Sequence, residues 1–131
     1  MQALIIEADK TLATQLRTFL EADGHEVMAT LYNGMTALQT LSTAIPDLIF
    51  LDVSLPNHWA ETILHAVQKR FKVLPLVVLC AQKPADARYL MQRNPGLRFL
   101  QKPFSRPEVE AVLFDDGSLE PVVPYMLPQF R

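Results

Sequence analysis

The sequence predicts an α/β fold, a (βα)5 three-layer sandwich in which a five-stranded parallel sheet lies between two layers of helices. Three observations carry this reading. Short apolar runs recur along the chain at Ala3 to Ile6, Val27 to Leu31, Leu48 to Leu51, Leu76 to Cys80 and Leu97 to Leu100. Between them the apolar residues fall at helical spacing instead. The central run is uniformly apolar and flanked by Pro46 and Pro56, as expected of a strand buried on both faces of a parallel sheet. Strands alternating with helices in this way imply βαβ units with right-handed crossovers.

The elements follow in order. After the first strand, which ends at Glu7, the spacing of Leu12, Leu16, Phe19 and Leu20 predicts a helix stopped by Gly24. The second strand is closed by Asn33-Gly34, a turn pair. Ala37, Leu38, Leu41 and Ile45 form the second helical stripe, broken by Pro46. The third strand ends in Asp52. Ile63, Leu64, Val67 and Phe71 mark the third helix, and Pro75 introduces the fourth strand. Pro84 suits the first turn of a fourth helix with Ala87, Leu90 and Met91 inward, ended by Asn94-Pro95-Gly96. Ser105-Arg106-Pro107-Glu108 has the spacing of a capping box and opens a fifth helix through Val109, Val112 and Leu113.

At 131 residues the chain reads as one domain over 1–114, followed by a proline-containing tail or linker over 115–131. The net charge of -2 gives no electrostatic case for nucleic acid or an anionic membrane surface. One cysteine, Cys80, excludes an internal disulfide framework and suits a reducing compartment. Glu7 and Asp9 argue against a basic leader, and no apolar stretch approaches the ~20 residues of a membrane span, so the expected location is cytoplasmic.

The chemistry gathers at the carboxyl ends of the strands, where open α/β sheets place their sites. Those ends supply Glu7, Asp52, Cys80 and Lys102. A carboxylate facing a lysine across a small cleft can hold an anion or a divalent metal. It can also act as a nucleophile whose developing charge the lysine stabilises. His25, His58 and His65 show no ligand spacing and read as surface or loop residues.

Leu51-Asp52-Val53-Ser54-Leu55-Pro56, Pro75-Leu76-Val77-Val78-Leu79-Cys80-Ala81 and Lys102-Pro103-Phe104-Ser105, with their separations, resemble the receiver domain of bacterial response regulators, the CheY-like family. The resemblance covers residues 1 to about 114. It implies a flavodoxin-like, CheY-like sheet of strand order 2-1-3-4-5. It also implies that Asp52 accepts a phosphoryl group from a histidine kinase or phosphotransfer protein, with Lys102, Cys80 and Ala81 at phosphate-binding or switch positions. Phe99, three residues before the lysine, would be the switch aromatic, and Lys102-Pro103 a cis peptide. Magnesium would be held by Glu7, Asp52 and the backbone carbonyl of Ser54.

Three departures qualify this. Ala8 stands where the family carries a second acid, and alanine ligates nothing. Cys80 replaces a threonine or serine, and a thiol is a weaker donor. Ala60 replaces a glycine, which implies a loop remodelled around Trp59. A pseudo-receiver that serves as a phosphorylation-independent binding or dimerisation module is therefore the alternative. A phosphatase of the haloacid-dehalogenase class would need an Asp-x-Asp motif after the first strand, which is missing. A flavin site would need a phosphate-cradling loop there, also missing. The domain is thus expected to be non-enzymatic. Val122, Val123, Tyr125, Met126, Leu127 and Phe130 are expected to pack along the face that includes the fifth helix, to support a homodimer, or to dock on a partner.

Overall fold

The computed structural model describes residues 1–114. Its strands are β1 (Gln2–Ile6), β2 (Glu26–Leu31), β3 (Leu48–Asp52), β4 (Leu76–Ala81) and β5 (Arg98–Gln101). They pair in parallel in the order β2-β1-β3-β4-β5. The helices α1 (Lys10–Ala22), α2 (Gly34–Leu41), α3 (Trp59–Arg70), α4 (Pro84–Arg93) and α5 (Arg106–Phe114) alternate with them. This is the expected architecture. The apolar tail positions, Val122 to Phe130, lie outside the described residues.

Alternation along the strands divides the core into two halves, because successive side chains point to opposite faces. Leu4, Ile6, Ile49, Leu51 and Leu79 pack with Ala37, Ile63, Leu64 and Leu90 of α2, α3 and α4. Ala3, Ile5, Leu48, Phe50 and Val78 pack with Leu16, Leu20 and Val109 of α1 and α5. Every residue of β3 is buried, which is why its sequence lacks polar alternation. Full burial of each large side chain contributes ~1.5–3 kcal/mol. Asp52 has the parity of Leu48 and Phe50 and so stands on the α1/α5 face.

Helix ends account for most of the small differences from expectation. Asp9 caps α1, accepting from the amides of Thr11 and Leu12, and Gly24 ends it at φ +86. Asn33-Gly34 does not form a turn. Asn33 caps α2 by accepting from the Thr36 amide, and Gly34 is the first helical residue. The dipeptide's signal is shared because the same short side chain serves turns and caps. Gly34 has a packing role too: a Cβ there would overlap the Trp59 ring. α2 ends at Leu41, earlier than the stripe suggested, and Ile45 is exposed.

The loop after β3 is also resolved differently. Ala60 is buried inside α3, while Asn57 and His58 take the left-handed conformation, both at φ 57. Starting the helix at Trp59 moves the demand for positive φ onto these residues, and asparagine tolerates it best. Trp59 is half-buried against the α2–α4 side of the core. Pro84 opens α4, and Asn94 and Gly96 (φ +95) end it. The capping box of α5 forms, with the Ser105 amide donating to Glu108 Oε1 at 2.9 Å.

Candidate functional site

β1 and β3 lie side by side in the middle of the sheet, so their carboxyl ends bring Glu7 and Asp52 together. The cis peptide Lys102-Pro103 follows β5, two strands away from β3. From there the Lys102 side chain reaches back to both acids. Its Nζ is 2.7 Å from Glu7 Oε1 and 2.9 Å from Asp52 Oδ1. All three residues are nearly inaccessible, at 4% for Glu7, 1% for Asp52 and 8% for Lys102. Burying such charges is tolerable only because they are paired and hydrogen-bonded.

The two oxygens of Asp52 are held unequally. Oδ1 accepts from Lys102 Nζ, from the Ser54 amide at 2.9 Å and from Ser54 Oγ at 2.6 Å. Oδ2 accepts the Ala8 amide at 3.1 Å. The Ser54 hydroxyl was not singled out from the sequence, where only its carbonyl was considered. The Asp-x-Ser spacing of an Asx turn is the signal that could have found it. The Ala8 amide had no signal, since any residue but proline supplies one.

Burial pushes the Asp52 carboxyl up, but hydrogen bonds from Ser54, Lys102, Glu7 and the Ala8 amide outweigh it and hold the pKa at about 2. Burial dominates for Glu7. Together with the Asp52 charge, it raises the carboxyl to about 7 against the pull of Lys102 and the Asp9 amide. Burial lowers the Lys102 ammonium, but Glu7 and Asp52 more than offset this and raise its pKa. The trio therefore keeps Asp52 ionised and Lys102 protonated at neutral pH, with Glu7 poised to titrate.

A cleft of about 450 Å³ opens above this trio, with Ala8, Ser54, Ala81, Gln82 and Asp86 among its walls. Ala81 thus lines the cleft, as do Gln82 and Asp86, which were not anticipated. Cys80 pairs with Asp52 across β3 and β4 but does not line the cleft. Its Sγ lies 4.0 Å from the Val78 carbonyl, within the α1/α5 side of the core. Burial, and secondarily the Glu7 charge, push its pKa up, so it stays a thiol. Phe99 pairs with Leu79 and packs half-buried on the α2–α4 side, the opposite face of the sheet from Asp52. Asp9 remains a helix cap whose amide donates to Glu7 Oε2 at 3.0 Å. The histidines lie elsewhere: His25 is near the amino terminus and His58 near Glu61.

Magnesium would meet a reduced set of ligands in this arrangement. Among the described residues no group of three acidic, histidine or cysteine side chains could hold a metal ion. Ala8 contributes an amide donor where a ligand is needed. The ammonium of Lys102 already bonds both carboxylates, and magnesium demands near-octahedral oxygen ligation. Also among the described residues, no helix is long and apolar enough to cross a membrane.

Comparison with known proteins agrees with this geometry. The profile of the response regulator receiver domain matches residues 3–114. The luminescence regulatory protein LuxO of Vibrio campbellii is 30% identical over 99 residues, covering 76% of this chain and 22% of that protein. The alkaline phosphatase synthesis transcriptional regulatory protein PhoP of Bacillus subtilis is 30% identical over 108 residues, covering 82% of this chain and 45% of that one. This chain thus spans less than half the length of either relative. The chemotaxis response regulator CheY4 of Vibrio cholerae superposes with a TM-score of 0.72 at 21% identity, over 86% of this chain and 94% of that one. That last likeness concerns the fold. Strand order, the Asp52–Lys102 pair and the profile match converge: the chain belongs to the response regulator receiver domain family of two-component signal transduction.

Proposed function

We propose that this receiver domain works as a phosphorylation-controlled interaction switch in the cytoplasm, with Asp52 as the phosphoacceptor. The observation that carries the reading is the unequal Asp52 carboxylate. Oδ1 is saturated by three donors, whereas Oδ2 accepts one amide at the floor of the cleft. Oδ2 attacks the phosphorus of a phosphohistidine on a histidine kinase or phosphotransfer protein. The P–N bond breaks, the imidazole keeps its electron pair, and an acyl phosphate remains on Asp52. Lys102 and the Ala8 and Ser54 amides offset the added negative charge. The output is a changed surface recognised by a downstream protein. The domain is a signalling module and not a catalyst of turnover.

Incubation with acetyl phosphate, with and without magnesium, should add one phosphoryl group by intact mass, and Asp52→Asn should abolish it. Beryllofluoride should shift the amide resonances of Ala8, Ser54 and Ala81. No adduct and no shift under any of these conditions would sink the reading.

A specific observation favours a second reading, the pseudo-receiver. Lys102 bridges both acids, and Ala8 leaves the donor set one ligand short. In that case the closed trio is the permanent state, and the domain binds its partner, or a second copy, without phosphorylation. Ala8→Asp should then create magnesium affinity that the natural chain lacks. Substantial affinity in the natural chain argues against it.

A further inference from the structure

At the amino-terminal edge of the sheet, opposite the cleft, an apolar pocket of about 300 Å³ opens below α3 and α4. Leu64, Val67, Leu74, Pro75, Leu76 and Leu97 form its walls, and a Gln68–Asn94 hydrogen bond crosses from α3 to the end of α4 above it. Leu74 is 53% exposed there and its neighbour Val73 88%. A contiguous apolar opening of this kind marks a surface that something covers.

The described residues end in α5, next to β5, the strand whose approach carries Leu97. The guanidinium of Arg98 donates to the carbonyls of Val112 and Leu113, in the last turn of α5, at 2.8 and 3.3 Å. Arg98 directly follows Leu97, a wall of the pocket. The end of α5 is therefore anchored to the residue that follows a wall of the pocket, on the other face of the edge strand β5.

The sequence beyond α5 matches what the pocket offers. Residues 115–120 contain Asp115, Asp116 and Glu120 and no basic residue. The segment next to the pocket carries Lys69 and Lys72, both exposed. Extended, 115–120 reach about 20 Å, enough to go round the edge of the sheet. Then comes Pro121-Val122-Val123-Pro124-Tyr125-Met126-Leu127. Prolines favour an extended backbone of three residues per turn, and in such a conformation residues three apart, as Val122 and Tyr125 are, would share a side.

We propose that residues 121–127 fold back on their own domain and seat Val122 and Tyr125 in this pocket, with the acidic spacer passing Lys69 and Lys72. The alternatives are the α1/α5 face, a second copy of the chain, or no docking at all. The inference does not depend on the chemistry of Asp52.

The test uses the full chain with a nitroxide on Gln129→Cys. Amide signals of Gln68, Leu74, Asn94 and Leu97 should broaden, while those of Arg17 and Glu110 on α1 and α5 should not. Tyr125→Asp in the same labelled chain should abolish the broadening. Broadening centred on α1 and α5, uniform absence of broadening, or persistence in the Tyr125→Asp chain would each overturn the proposal. So would broadening confined to a mixed sample in which the label and the observed amides sit on different molecules.

Discussion

At the carboxyl edge of the sheet, Glu7, Asp52 and Lys102 are almost completely buried, whereas at the amino edge Val73, Leu74 and Ile45 stand in solvent. Residue type alone would have assigned these positions the other way round. Charges can be buried above β3 because every one of them has a partner: six donor contacts, counting Lys102 twice, serve the two carboxylates from Lys102, Ser54, Ala8 and Asp9. The apolar residues below β4 are exposed because no described element lies over them. Burial in this domain follows the availability of partners, and each edge advertises what it is prepared to meet.

Removing the cation would test the upper edge most severely. Lys102→Met leaves two adjacent buried carboxylates without a counter-charge, and should cost about 3–5 kcal/mol in chemical denaturation at neutral pH. The Lys102→Met, Glu7→Gln pair should cost less than the sum of the single changes, because the remaining acid no longer faces a second one. Strict additivity would mean that the trio is not one interacting unit.

Glu7 offers a second and smaller effect. Its folded pKa of about 7 lies above the ordinary 4.5, so the folded state binds that proton more tightly than the unfolded state. The resulting stabilisation is complete below pH 4.5 and is lost as pH rises through 7, by about 3 kcal/mol at most. Asp52 works in the opposite sense, being depressed to about 2 from 3.8, so its contribution is complete above 3.8 and is lost as pH falls through that range. Denaturation midpoints between pH 5 and 8 should therefore decline in the natural chain and stay flat in Glu7→Gln. The smallest effect belongs to the lower edge, where Val73→Thr should change stability by no more than about 0.5 kcal/mol. A large loss there would show that the covered surface extends beyond the pocket to Val73.

The fold was legible because hydrophobic period and strand burial are local properties, and β3 announces its depth by having no polar alternation. Asp52 and Lys102 could be paired from the order of the strand ends and the resemblance those segments carry. What escaped was set by side-chain geometry. Nothing in the spacing of residues 7 and 102 says that Nζ bridges both acids, or that the Ala8 amide turns toward Oδ2. Asn33-Gly34 misled because a cap and a turn begin with the same residue types. Ala60 misled for a related reason: moving the helix start by a residue or so relocates the strained backbone from one position to its neighbours.

Trp59, the single tryptophan of the chain, rests its ring on Gly34 with no room for even a methyl group between them. It begins the helix that follows the Asp52 loop, yet its contact is with the helix that follows β2. The two helices are thereby geared: a displacement at residues 53–58 is transmitted sideways to α2 instead of being absorbed in a soft interface. The indole also turns that gear into an optical gauge, because its emission reports the polarity of the seam at which the two helices meet.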